Sequence, residues 1–247
     1  MKREEYESLY RKVNNIDDFD ELSKEFNVDK ETIFIIYSQK RVRDTTKRFY
    51  KVKNQSSKLV ERWRKGKSFV EIAKEIDFSE VLTASIILRD LGVSKRVFWA
   101  QLRNPDKIED ERLSMELREV AESDLLYSPK AMDAQRKRGR MVEDFVLNYL
   151  TEHGIEFKRE RELRKIHNKT PDFVLPNAFK KDGFKVNWIE CKASFGDAIE
   201  VKRTTKRQLA PYLEQFGSGV VFYWYGYLED LNSVEGIMIV GKDFFKD

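Results

Sequence analysis

Two carboxylates and a lysine in the second half of the sequence have the types and spacing for a divalent-cation site. Asp172 lies in Thr170-Pro171-Asp172-Phe173, and 18 positions later come Glu190-Cys191-Lys192. Each group sits on a short apolar run, Phe173-Val174-Leu175 in one case and Val186 with Trp188-Ile189 in the other, and Gly183 marks a turn between them. Such runs read as strands. Side chains two apart on a strand share a face, so Glu190 and Lys192 point together while Ile189, Cys191 and Ala193 point the other way. A charged Glu-x-Lys on one face of an otherwise buried strand needs a partner, because an unpaired buried charge costs several kcal/mol. A cation between Asp172 and Glu190, with Lys192 beside it, supplies one. The plain alternative is that Asp172 caps a turn after Pro171 while Glu190 and Lys192 form only an ion pair.

The elements that would position these groups are legible around them. A helix is expected from about Ala131 to His153, stopped by Gly154, with Glu143, Val146, Leu147 and Leu150 along one stripe and Asp144, Asn148, Thr151 and Glu152 opposite. Glu143 then faces the sheet, unless it sits at the helix edge and reaches out to water. Arg136, Lys137, Arg138 and Arg140 precede it and would border the site, where they could hold phosphates. A strand is expected near Ile155–Arg159. After the Glu190 strand comes a helical segment ending at Gly217, with the stripe Leu209, Tyr212, Leu213 and Phe216. Pro211 falls inside that stripe and should kink the helix or delay its start. Val220 to Tyr225 is β-branched and aromatic and reads as a central strand. A base-stacking platform is the other reading of that run, but apolar residues on both faces favour core. Gly236–Val240 gives a last strand.

The first half reads as helical pairs. Residues 17–48 suggest a helix-turn-helix: Phe19, Leu22 and Phe26 form one stripe, and Asp29 caps a second helix burying Ile33, Ile36 and Tyr37. Its far end carries Lys40, Arg41, Arg43, Lys47, Arg48, Lys51 and Lys53, which suits a phosphate backbone or a solvated helix face. A second pair spans about 58–104, with Phe69, Ile72, Ala73 and Ile76, the turn Asp77-Phe78-Ser79, and a helix from Val81 to Leu91 stopped by Gly92. Leu82, Ile86, Ile87, Leu88 and Leu91 leave that helix little polar surface for base edges, so it suits packing. Leu113, Leu117, Val120 and Ala121 mark a helical connector, broken at Tyr127-Ser128-Pro129. The expected division is 1–57, 58–105, 106–128 and 129–247.

Composition bounds the rest. The 247 residues are 36% charged and 40% hydrophobic with a net charge of +4, so nucleic-acid affinity must come from local basic clusters. One Cys and two His exclude a disulfide framework and the usual Cys/His zinc sites. No apolar run approaches the roughly 20 residues that span a bilayer, and the charged start MKREEYESLY does not read as a signal peptide. A soluble cytoplasmic protein is expected, nucleoid-associated in a prokaryote.

The strings TPDFVL, WIECKASFGD and FGSGVVFYWYGYLED resemble the TPD-motif branch of the PD-(D/E)xK nuclease superfamily, the family of the codanin-interacting nuclease and its archaeal relatives. The order helix–strand–strand–strand–helix–strand is that superfamily's core order. The resemblance implies a C-terminal restriction-endonuclease-like α/β domain, a mixed sheet flanked by helices, behind an all-α helix-turn-helix region. It implies a metal-dependent endonuclease with Asp172, Glu190 and Lys192 as signature residues and Gln208 as the glutamine often found on the following helix. It also implies Glu143 and the Cys191 backbone carbonyl as further ligands to Mg²⁺ or Mn²⁺. Cys191 departs from the serine expected between Glu and Lys, a change that matters little if only the carbonyl touches metal.

Expected chemistry is phosphodiester hydrolysis, in which a cation on oxygen ligands acidifies water and clamps phosphate oxygens. Lys192 is expected to act electrostatically rather than as general base. His153 and His167 show no evident partner for a nucleophilic triad. The expected partner is nucleic acid, DNA before RNA, branched or structured substrates included, with a homodimer allowed by analogy to junction resolvases. The rivals are a DNA-binding regulator with an inactive nuclease-like domain, and a module that recruits a protein through its helical half.

Overall fold

In a computed structural model, residues 1–164, 168–231 and 234–246 are described. The chain forms two compact units, Met1–Gln39 with Arg138–Asp247, and Lys40–Lys137. This differs from the four consecutive segments expected.

The reason lies in what the first helices bury. After a helix α1 (Arg3–Lys12) that the stripes did not announce, α2 (Phe19–Phe26) and the start of α3 (Lys30–Lys53) have the expected stripes and cap, with Asp29 Oδ1 accepting from Thr32 N at 2.8 Å. Yet Phe19, Leu22, Ile33 and Ile36 share one core with Phe195, Tyr225 and Leu228. The Tyr6 ring stacks on Phe195 at 5.2 Å, and its hydroxyl donates to Asp197 at 2.6 Å. Gln39 clasps the Phe195 backbone from both sides, accepting at 3.0 Å and donating at 3.1 Å. The N-terminal helical pair is therefore part of the sheet-bearing unit rather than a domain of its own.

The second unit is all helix. It contains the rest of α3, then α4 (Ser56–Arg64), α5 (Phe69–Glu75), α6 (Glu80–Asp90), α7 (Lys95–Arg103) and α8 (Glu111–Ser123). Ser68 and Ser79 cap α5 and α6, and Asp77 turns the chain between them at φ 45°. Val81, Thr83, Ala84, Ile86, Ile87 and Leu88 are all buried, so α6 is the packing helix its composition suggests. Helix α8 is a correction: it is not a connector. Leu117 and Val120 lie in the core of this unit. Buried Glu116 accepts from Trp63 Nε1 at 2.9 Å, and buried Asp124 accepts from Ser79 Oγ at 2.5 Å.

Helix α9 (Pro129–Glu152) corrects the boundary placed at residue 129. Ser128 Oγ accepts from Ala131 N at 3.2 Å, and Pro129 takes the first helical position, where a missing N–H costs nothing. The break is a helix start, and the division between units falls within α9.

Beyond α9 the chain runs through β1 (Lys158–Arg159), α10 (Glu160–Leu163), β2 (Phe173–Lys181), β3 (Phe184–Lys192), α11 (Ala198–Thr204), α12 (Ala210–Phe216), β4 (Gly219–Tyr223) and β5 (Ile237–Val240). They form one mixed sheet in sequence order, antiparallel from β1 to β3 and parallel from β3 to β5. Asp182 and Gly183, at φ 51° and 79°, close the two-residue turn of the β2–β3 hairpin. The register shifts between Val174 and Phe179, a stretch that contains Pro176, which has no N–H to give the ladder. Val142, Val146 and Leu150 of α9 cover one face through Phe173, Ile189, Val220 and Phe222. Leu209, Tyr212 and Val201 cover the other through Trp188, Val221 and Tyr223. Gly219 is obligatory on β4 beside Trp188, because any Cβ there would overlap the Trp188 ring. The aromatic run of β4 is core. Among the described residues no helix is long and apolar enough to cross a membrane.

Candidate functional site

The hairpin register brings the three signature residues together. Phe173 pairs with Ile189, so one step further along, Asp172 falls opposite Glu190. Asp172 Oδ2 accepts from the backbone N–H of Cys191 at 2.7 Å. Strand alternation then sends Glu190 and Lys192 to the face covered by the β3–β4 crossover. There Lys192 Nζ donates to Glu190 Oε1 at 2.6 Å and to Gln208 Oε1 at 2.7 Å.

Gln208 owes its position to an irregular helix. Between α11 and α12, residues Thr205–Leu209 form a wide π-type turn, and Pro211 follows in the first turn of α12. A proline cannot bond back to the fourth carbonyl before it, which is that of Arg207. That oxygen instead accepts from Lys169 Nζ at 2.8 Å. The helix irregularity expected at Pro211 is thus present, and it sets Gln208 beside Lys192.

The electrostatics are those of crowded carboxylates, Glu190 buried and Asp172 half-buried. Burial raises the Asp172 pKa well above the ordinary carboxylate value, and the charge of Glu190 raises it further. Burial also raises Glu190, opposed by the ammonium of Lys192. Cys191 is pushed up by burial and by the surrounding carboxylates, which disfavours its thiolate. Tyr212 was read in the sequence only as a core residue of its helical stripe. Its hydroxyl meets Glu190, and burial, then the charges of Glu190 and Asp172, raise its pKa. Its position four residues after Gln208 was the available signal, since such residues share a helix face.

The other expected ligands are less simply placed. Glu143 is half-buried and contributes to the field at Asp172, but its carboxylate is bound by Arg159 at 3.1 Å. Arg159, missed in the sequence, also lies over the Phe173 ring at 5.6 Å. Among the described residues no group of three or more His, Cys, Asp or Glu side chains is gathered for a metal ion. His153 Nδ1 lies 2.8 Å from the Tyr149 carbonyl and its ring stacks on Tyr149; His167 lies outside the described residues.

The expected phosphate contacts divide in the same way. Arg41 binds Asp77 at 3.0 Å, and Arg48 donates to the Ile76 carbonyl at 2.5 Å and to the Asp77 carbonyl at 2.8 Å. Both therefore fasten α3 to the α5–α6 turn. Lys47, Lys51 and Lys53 are exposed, while Lys40 and Arg43 are half-buried. Arg138 lies over the Phe34 ring at 5.5 Å, Arg140 is exposed, and Arg136, in the all-helical unit, pairs with Asp133.

A family model described as "Protein of unknown function TPD sequence-motif" matches residues 109–244, more than half of the chain. The chain is 35% identical over 188 residues to CDAN1-interacting nuclease 1 of Xenopus laevis, covering 72% of this chain and 61% of that protein. It is 32% identical over 180 residues to the Homo sapiens protein of that name, covering 69% and 64%. For the Danio rerio protein the identity is 33% over 184 residues, covering 71% and 61%. The chain thus matches less than two thirds of the length of these relatives. No solved structure matches it. Asp172, within the Thr170-Pro171-Asp172 string, lies inside the matched region, and the chain belongs to the TPD sequence-motif family.

Proposed function

We propose that this protein is a metal-dependent nuclease of the PD-(D/E)xK type that hydrolyses phosphodiester bonds in nucleic acid, with DNA as the expected substrate. The observation that carries the reading is the gathering of Asp172, Glu190, Lys192 and Gln208 at one end of the β2–β3 hairpin. The nuclease name of its relatives supports it.

Asp172 and Glu190 fit a hard divalent cation, Mg²⁺ or Mn²⁺, as a pair. Burial raises the proton affinity of both carboxylates, and the charge of Glu190 raises that of Asp172 further; positive charge between them relieves this. Glu143, with Oε2 on Arg159, can join through its other oxygen or by leaving Arg159. A bound cation would supply Lewis acidity toward phosphate oxygens and water. The chain's own residues do the positioning. Lys192 uses two of its three N–H donors on Glu190 and Gln208, leaving one for an oxygen of the phosphate as charge builds there. Tyr212 and Gln208 fix the crossover side of the site. Anchoring of nucleic acid by the helical region falls to Lys47, Lys51 and Lys53, since Arg41 and Arg48 are committed to the Asp77 turn. A protein partner belongs to the same proposal, because the relatives are named for one.

The test is a cleavage panel of single-stranded, duplex, flap, splayed and four-way substrates in Mg²⁺ and Mn²⁺, with Asp172→Ala and Glu190→Ala beside the wild type. Cleavage by the wild type and none by either variant is expected. Equal turnover in all three proteins rejects the assignment.

A further inference from the structure

Beside the site lies a cleft of about 460 Å³ lined by Glu160, Arg164, Lys169, Arg207, Gln208 and Tyr212, among others. None of its cations figured in the expected phosphate contacts. Two of the lining residues also belong to the site: Gln208 holds Lys192 at 2.7 Å and Tyr212 meets Glu190. The cleft is therefore continuous with the signature residues.

Its chemistry selects the occupant. The one acidic residue among the described lining, Glu160, is bound by Arg164 at 2.8 Å. Lys169 and Arg207 add positive charge, and both are exposed. Lys169 Nζ spends one donor on the Arg207 carbonyl freed by Pro211, which ties the Thr170-Pro171-Asp172 segment to the π-type turn and leaves two donors for a ligand. Gln208 offers its carbonyl oxygen to Lys192, so its amide N–H₂ faces other work. Donors and positive charge together ask for an anion rich in oxygen acceptors. The volume suits a nucleotide-sized ligand and far exceeds what an inorganic anion fills.

We propose that this cleft is a phosphate subsite that takes the backbone of the nucleic-acid strand next to the bond to be cut, with Lys169 and Arg207 as its principal contacts and Gln208 shared between strand and Lys192. This rests on the nuclease reading. It also gives the π-type turn a role, since such turns recur at functional sites.

The experiment measures binding of labelled single-stranded oligonucleotides, with and without a 5′-phosphate, by the full chain in Ca²⁺ across a salt series, with wild-type cleavage in Mg²⁺ run alongside. Lys169→Ala and Arg207→Ala should each weaken binding by about fivefold, the value of one good exposed charge contact. Each should also lower the log–log salt slope by roughly 0.7. Lys180→Ala, an equal charge change on an exposed residue of β2, should move neither. Loss with both oligonucleotides places an internal phosphodiester in the cleft, and loss only with the phosphorylated one places a terminal phosphate there; either supports the subsite. Melting curves identify a variant that fails to fold, in which case Lys169→Gln and Arg207→Gln replace the alanine variants. Wild-type cleavage with unchanged affinity and slope in both variants overturns the subsite alone, as does an equal loss in the Lys180 control. A wild type that neither binds nor cleaves any substrate overturns the nuclease reading with it.

Discussion

The carbonyl oxygen of Gln208 accepts from the ammonium of Lys192 at 2.7 Å, joining the π-type turn to the last residue of β3. Lys192 is thereby held by one charged and one neutral acceptor, Glu190 and Gln208, with most of its side chain buried at 18% exposure. If it acts by charge, Lys192→Arg should keep part of the rate, reduced because a planar guanidinium is not a point charge. Lys192→Met should lose on the order of 100-fold or more. Gln208→Leu should lose less and lower kcat more than affinity. Single-turnover cleavage across pH at saturating Mg²⁺ separates the roles. Equal, near-complete loss in the Arg and Met variants, with a wild-type titration they both lack, would make Lys192 the base.

Asp172 should link pH and stability, and a bound cation with both. Its folded pKa stands above the unfolded value of about 3.9, so the folded state holds more protons between those two values. Stability therefore falls as pH rises through that window and levels off above the folded pKa. Asp172→Asn, whose carbonyl oxygen can still accept from Cys191 N, removes the repulsion. In EDTA at neutral pH it should melt above the wild type, by about 2–4 °C for each kcal/mol relieved, and the two should converge below about pH 4. Mg²⁺ should raise the wild type and leave the variant unmoved. A variant that melts lower at neutral pH, with the same Mg²⁺ response as wild type, refutes this account.

Glu143 and Arg159 offer a reciprocal pair of variants. Glu143→Ala should raise the Mg²⁺ concentration needed for half-maximal cleavage. Arg159→Ala releases the carboxylate now bound at 3.1 Å and should lower it. Identical metal titrations in all three proteins would make the pair a structural contact between α9 and the sheet edge.

Residues 129–247, the expected C-terminal domain, should not fold by themselves. They leave Phe195, Tyr225 and Leu228 without Tyr6, Phe19, Leu22, Ile33 and Ile36, an apolar exposure that favours aggregation. Residues 1–39 joined to 138–247 by a flexible linker should instead give a soluble, cooperatively melting protein. A sharp calorimetric transition in the shorter fragment would contradict the shared core.

Glu190, Lys192 and the burial of β4 were legible because strand alternation is a local rule, and charge on a buried face violates it visibly. Gln208 was legible through resemblance, and Pro211 flagged the irregular helix that places it. What was hidden depends on contacts distant in sequence. Arg159 reaches Glu143 from another element, and Arg41 and Arg48 meet a turn some thirty residues away. The stripes of α2 and α3 were correctly read, but an apolar stripe does not say which surface it will cover. Helix α8 looked like a connector because its polar outer face is obvious, while buried Glu116 and Asp124 hold it inward through specific hydrogen bonds.

The split of one unit across the chain ends has a consequence for biosynthesis. Residues 1–39 leave the ribosome before all of 40–137, which is contiguous and can fold as it emerges. Until the sheet is made, Phe19, Leu22, Ile33 and Ile36 have no Phe195 or Tyr225 to cover them. Chaperone demand should therefore last from the synthesis of these helices until Phe195, Tyr225 and Leu228 are made. A premature stop between residues 137 and 195 would release a product whose helical unit is complete and whose first helices lack Phe195, Tyr225 and Leu228, a natural target for quality control.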